Sequence, residues 1–272
     1  MRRRHRFWDA LVLGTLALYA VPYAWQVLTS FKPEAELLRL PPLLPTRFTI
    51  EHYHVVLSQS ALPRALGNSL VVAVVTTAVV LVLGLLAAYA VARSPVPGKA
   101  WLLLGVVAAT AFPQIATVSP LYLMMRGLAL RDTWTALVLA HTALGLPLVI
   151  WLLAGFIRDI PAELEHAAAI DGAARAQIVR WIVLPLVAPG AASVALLTFL
   201  LSWNEFLYAY TFSATEASRT VPVALALFPG VFEVPWGDIA AASILASLPP
   251  VVIVLGLQRY LVRGLLAGAL RE

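Results

Sequence analysis

Apolar residues run for about 20 positions at a time along this chain, almost without charge, and short polar or basic stretches separate the runs. They cover residues 10–28, 65–91, 101–125, 134–157, 186–211 and 239–260. Each is as long as an α-helix needs to be to cross a bilayer. In hydrocarbon every backbone N–H and C=O must pair within the protein, so each run is expected to be helical. The pattern predicts an all-α, polytopic membrane helix bundle of six transmembrane helices in a single domain over residues 1–272. Pro113 and Pro120 fall in the third run, Pro147 in the fourth, and Pro249 and Pro250 in the sixth, so those helices are expected to be kinked or locally unwound. Arg2, Arg3, Arg4 and Arg6 ahead of the first run imitate a secretory signal. The run is long for that and no convincing cleavage site follows, so it reads as a retained helix.

Composition agrees: 61% of residues are hydrophobic and 12% are charged. The charges orient the chain, because basic residues hold short loops on the cytoplasmic side. With six spans, both termini, the 93–100 loop and the 158–185 loop share one face. That face carries Arg2, Arg3, Arg4, Arg6, Arg93, Lys99, Arg158, Arg175, Arg180, Arg259, Arg263 and Arg271, twelve of the 19 basic residues. Both termini are therefore expected in the cytoplasm. The net charge of +5 reports topology and anionic lipid rather than nucleic acid. There is no cysteine, which excludes disulfides and thiolate metal sites.

No internal repeat or inverted pair of halves stands out. Two outer segments, 29–64 and 212–238, are long enough to pack over the bundle. Glu51, His52, Tyr53 and His54 hint at a ligand site, but consecutive residues of a helix do not face one another, and a structural role is expected. The 158–185 loop differs in character. Pro161 suits a first helical turn, and Glu163 and Glu165 suit a helix N-terminus. Gly172 supplies a break, residues 173–183 form a second helix, and Pro185 ends that element where the fifth span begins. Ala167, Ala168 and Ala169 keep the first helix slim enough to sit in a partner's groove, with Glu165 and Asp171 as acceptors at its ends. A helix merely resting on lipid is expected to be basic with large apolar residues opposite, unlike this one.

The loop resembles the EAA motif of the inner-membrane permease subunits of ABC importers, which runs EAA, two residues, DGA, then I-x-LPL-x-x-P. Ala167, Ala168, Asp171, Gly172, Ala173, Ile182, Leu184, Pro185, Leu186 and Pro189 match it. His166 stands where the motif has Glu, and Glu165 lies one residue earlier. Within that family the chain is similar to the shorter permease of maltose-type carbohydrate importers. Ser30-Phe31-Lys32-Pro33, the Ser202 to Tyr208 stretch, Gln258 to Leu265 and Ala267-Gly268-Ala269 carry that likeness.

The resemblance implies a subunit of a bacterial or archaeal cytoplasmic membrane that imports a sugar. Its partners would be a second permease, an ATPase dimer and an extracytoplasmic solute-binding protein. It leaves open whether the sugar is an α-glucoside such as maltose or trehalose, glycerol phosphate or another oligosaccharide. Coupling to the ATPase would fall to Glu165, His166, Ala167, Ala168, Asp171, Gly172 and Ala173. ATP and Mg would be held by the ATPase and no cofactor by this chain. Gly98-Lys99 is followed by alanine and lacks the upstream glycine of a phosphate-binding loop, so this chain is expected not to be an enzyme. The 228–236 loop resembles, in position, the loop that enters the binding protein's sugar cleft in maltose-type importers, with Gly230, Val231, Phe232 and Glu233 at its tip. The tail 264–272 would reach between the ATPases.

A sugar path needs hydrogen bonds and stacking surfaces, and polar groups at membrane depth are costly unless they face a cavity or partner. Gln114, Ser202, Asn204, Glu205 and Tyr208 are the candidates, Asn204 foremost; each has helix-to-helix hydrogen bonding as its alternative. His141 and Thr117 suit that alternative at least as well. An ion-coupled secondary transporter is the alternative function, and it needs coupling carboxylates near the midplane, which spans one to four and six lack. A membrane enzyme needs a reaction centre, and His5, His52, His54, His141 and His166 are scattered along the chain.

Overall fold

The computed structural model of the chain describes residues 2–38, 42–95, 97–228 and 234–269. Among these, the regular elements are all helical: α1 (Arg2–Thr29), α2 (Glu34–Leu37), α3 (Glu51–Gln59), α4 (Leu62–Arg93), α5 (Lys99–Thr110), α6 (Gln114–Gly127), α7 (Trp134–Arg158), α8 (Ala162–Ile170), α9 (Arg175–Ile178), a π turn (Val179–Val183), α10 (Leu184–Trp203), α11 (Leu207–Phe212), α12 (Val221–Ala226) and α13 (Trp236–Ala269). Five of the described helical segments are long and apolar enough to cross a membrane, or six if one bent pair counts as a span. Five of the six expected spans have a single long helical segment as counterpart, and the third corresponds to the bent pair.

The bent pair is the third span, where α5 and α6 meet at 89°. α5 ends in tightened turns, with the Ala111 and Phe112 amides donating three residues back to Ala108 and Ala109. Pro113 then has no N–H to continue the ladder and sits in extended backbone ahead of α6. Where spans four and six are expected to be kinked or locally unwound, the helix continues through the prolines, Pro147 in α7 and Pro249 and Pro250 in α13.

The fifth span begins earlier than its hydropathy indicates. Pro185 does not end an element, as expected from the sequence; residues 175–203 run as one helical segment. The π turn explains why. The Leu184 amide donates to the Val179 carbonyl, five residues back, so the wider turn accommodates the Pro185 ring where an α-turn would clash. The second loop helix is thus the foot of the fifth span. At the other end this span breaks over residues 204–206 before α11 resumes.

Two compact units form, residues 1–63 with 224–248, and residues 64–223 with 249–272. In the first, His52 of α3 is buried, its Nδ1 2.7 Å from Asp238 Oδ1 and its Nε2 2.9 Å from the Lys32 carbonyl oxygen. Its ring lies so close to Gly237 that a Cβ there would come within 2.2 Å of it. Tyr53 bonds to Ser30 at 2.8 Å and packs on Phe31. His52 and Tyr53 thus hold the 29–64 segment together, the structural role expected of them.

The second unit has two cores. Val80, Val149, Leu153, Ile157, Val183, Val187 and Val194 join α4, α7, the π turn and α10, and half-buried Ala168 and Ala173 pack against them. Val72, Met125, Leu137, Tyr208 and Phe212 join α4, α6, α7 and α11. Between helices in a membrane such close packing, rather than a hydrophobic drive, supplies the attraction.

Candidate functional site

The α8 loop is built as a helix fixed along one face and open along the other. Ala162, Glu165 and Ala168 recur every three residues and are its buried or half-buried positions, while Glu163, Leu164, His166, Ala167, Ala169, Ile170 and Asp171 are exposed. Ile170 is 87% exposed, a large apolar side chain at the helix end. Gly172 follows with φ of +87°, a left-handed conformation that turns the chain toward α9. The Gly172 and Ala173 amides donate to the Ala169 and Ala168 carbonyls and close the helix.

Glu165 does not offer its carboxylate at the helix surface, as the sequence suggests. Arg93 Nε donates to its Oε1 at 2.6 Å and the Tyr89 hydroxyl donates to Oε2 at 2.9 Å, and the side chain is 9% exposed. A second guanidinium nitrogen of Arg93 donates to the Ile160 carbonyl at 2.8 Å. The end of α4 therefore holds both the carboxylate of α8 and the backbone ahead of it. A carboxylate this buried is stable only when paired in this way. Of the predicted coupling residues, His166, Ala167, Asp171 and Gly172 remain on the exposed side, Ala168 and Ala173 are half-buried, and Glu165 is the anchor. Arg93 and Tyr89 escaped the sequence reading because their partner lies 72 and 76 residues away.

A second buried carboxylate occupies the break at the end of the fifth span. Glu205 Oε1 accepts from Gln114 Nε2 at 2.7 Å and from the Tyr208 amide at 2.9 Å. Its Oε2 accepts from the Ala209 amide at 3.1 Å and lies 3.1 Å from His141 Nε2. His141 Nδ1 lies 2.8 Å from Ser202 Oγ. Glu205 thus satisfies the first free amides of α11 and fastens α6 and α7 to the break. It is 6% exposed.

Beside this cluster is an open cleft of about 440 Å³, lined by Gln114, Thr117 and Tyr208 with Phe112, Leu121, Met124, Leu144 and other apolar residues. Thr117 and Tyr208 share a hydrogen bond between their hydroxyls. Of the predicted path residues, Gln114 and Tyr208 line the cleft. Ser202 and Glu205 are buried behind it, against a void of about 10 Å³. Asn204 is exposed and its side-chain amide donates to the Leu200 carbonyl of its own helix at 2.8 Å. Gly230, Val231, Phe232 and Glu233, and the side chains of the 264–272 tail, lie outside the described residues.

Asp132 holds the 213–219 loop. Its backbone has φ of 61°, and its carboxylate accepts from the Ala214 and Thr215 amides and from the Thr215 and Ser218 hydroxyls. Burial opposes ionisation of this group, but those four donors outweigh it and hold its pKa at about 2, below the ordinary 3.8.

Comparison with known proteins finds relatives over nearly the whole chain. The chain is 40% identical to the trehalose transport system permease protein SugB of Mycobacterium tuberculosis over 99% of its own length and 98% of the relative's. It is 38% identical to the trehalose/maltose transport system permease protein MalG of Thermococcus litoralis, over 96% and 94% of the two chains. Its fold is similar to that of a chain in the crystal structure of a bacterial ABC transporter involved in import of the acidic polysaccharide alginate. That match has a TM-score of 0.81 and 22% identity, over 95% of this chain and 96% of that one. Residues 80–267 match the family of binding-protein-dependent transport system inner membrane components, and the chain belongs to that family.

Proposed function

We propose that this chain is one of two permease subunits of an ATP-driven importer that carries a sugar, an oligosaccharide or α-glucoside of the trehalose and maltose type, into the cell. The observation that carries the reading is the α8 loop: a short helix anchored by Glu165 to Arg93 and Tyr89, with His166, Ala167, Ile170 and Asp171 turned away from its own chain. The names of the relatives supply the substrate class. ATP and Mg belong to a separate ATPase pair that receives this loop, and an extracytoplasmic solute-binding protein delivers the sugar. Both termini and the α8 loop lie in the cytoplasm, on the face that holds most of the basic residues.

In this reading, closure of the ATPases pushes on the exposed face of α8. The push passes into α4 through the Arg93–Glu165 pair and into α10 through the π turn, as a rigid-body movement. The cleft of Gln114, Thr117 and Tyr208 forms one wall of the sugar path, with hydroxyl and amide groups for sugar hydroxyls and apolar surface for ring faces. The test is reconstitution of the chain with its partner permease, ATPase and binding protein in liposomes, with labelled trehalose or maltose outside. Uptake that requires ATP and every partner is expected. Uptake by the lone chain on an ion gradient defeats the reading in favour of a secondary carrier.

A further inference from the structure

A groove between α5 and α7, separate from the cleft and from the α8 face, carries a site of its own. Its volume is about 500 Å³ and its lining is Lys99, Leu103, Leu104, Val107, Trp151 and Arg158, with Ala100 between them. The arrangement is polarised. Lys99 is the first residue of α5 and Arg158 the last of α7; Arg93, shortly before Lys99, donates to the Ile160 carbonyl, just after Arg158, so both cations lie at one mouth of the groove. From there the apolar wall follows α5 from Leu103 to Val107, about 12 Å from Lys99 at the helical rise. Leu104 is 56% exposed and Trp151 50% exposed, so the wall is open along its length. Among the described residues neither Lys99 nor Arg158 is in an ion pair. No side chain caps α5, whose first residues follow Gly98 at φ of +76°, and its opening amides add to the positive end.

We propose that this groove binds an anionic phospholipid, its headgroup phosphate held by Lys99 and Arg158 and one acyl chain laid along Leu103, Leu104, Val107 and Trp151. The ligand must be anionic at one end and apolar for about 12 Å beyond it. A phospholipid combines both in one molecule and presents its phosphate at the edge of the hydrocarbon, where the ends of two spanning helices lie. A helix of another subunit would instead have to bring carboxylates to that edge. The tryptophan offers an acyl chain a broad apolar face, and the long cationic stems reach toward the headgroup layer.

The experiment is native mass spectrometry of the full-length protein, extracted from membranes of mixed phosphatidylglycerol and phosphatidylcholine in the assembly it forms there. Retained phosphatidylglycerol is expected to exceed phosphatidylcholine. Lys99→Gln or Arg158→Gln is expected to lower that preference about fivefold, and the double substitution roughly thirtyfold, while Lys99→Arg keeps it. A photoreactive residue at Leu104 in the otherwise unaltered chain is expected to crosslink to lipid. Equal retention of the two lipids, an unchanged preference in the double variant, or crosslinks from position 104 to another protein chain overturns the proposal.

Discussion

Glu165 and Glu205 are both buried carboxylates at helix ends, and they are held in different ways. Glu165 takes its partners from side chains of a single helix, the Tyr89 hydroxyl and Arg93 guanidinium of α4, and lies beside an exposed face. Glu205 is surrounded: two amides of α11, Gln114 of α6 and His141 of α7 converge on it. The first is a two-element link that can carry movement from α8 into α4 as one piece. The second ties three helices at one point, so the cleft wall beside it keeps its shape. A buried charge therefore marks a discontinuity in both places, and the number of elements that meet there separates a transmitting joint from a fixed one.

That contrast predicts its largest effect at Glu205. Replacing it with alanine strands Gln114, His141 and two amides, and is expected to cost about 3–5 kcal/mol, read as loss of the purified, folded protein on a thermal ramp. Glu205→Gln keeps an acceptor and is expected to cost roughly 1–2 kcal/mol. Equal costs for the two would mean that the acceptors at this break do not matter. The link at Glu165 is expected to be pairwise. A double-mutant cycle on Arg93→Ala and Glu165→Ala should show a coupling of about 2 kcal/mol in denaturation of the membrane-extracted protein, and additive costs would dissolve the pair.

Gly172→Val is expected to cost about 1–2 kcal/mol, entirely through the backbone, because a Cβ there meets nothing within 4 Å while φ is +87°. Gly172→Ala should therefore cost nearly as much, and a harmless alanine would show that the turn relaxes. The smallest effect belongs to Asp132. Its folded pKa of about 2 lies below 3.8, so its hold on the 213–219 loop is fully present above pH 4 and is lost as pH falls through 2. Amide protection at Ala214 and Thr215 should exceed that of Asp132→Asn at pH 5, and the two should converge by about pH 1. A difference that persists there contradicts the assignment.

The helices and the α8 loop were legible because hydropathy and turn chemistry are local. Gly172 announced its own turn, and Pro113 its own break, although not a bend of 89°. The course of the backbone at Pro185 departs from its local signal, since a proline normally ends a helix and the π turn before it lets the segment continue. The inward turn of Glu165 had a faint signal: it shares a helix face with Ala162 and Ala168, the small residues that pack inward. The pairing of Glu205 with His141 and Gln114 had none, these being 64 and 91 residues distant in the chain. Asn204, the foremost path candidate, bonds back to its own helix, a use that its polarity does not reveal.

The most direct test of the transmitting joint is ATP hydrolysis and sugar uptake measured side by side in liposomes holding the complete importer with Arg93→Ala in this chain. Hydrolysis is expected to continue while uptake falls about tenfold or more, so that ATP spent per sugar rises by that factor. An unchanged ratio, with both activities intact or both reduced together, would contradict a role for the Arg93–Glu165 pair in carrying movement from the ATPases into the membrane.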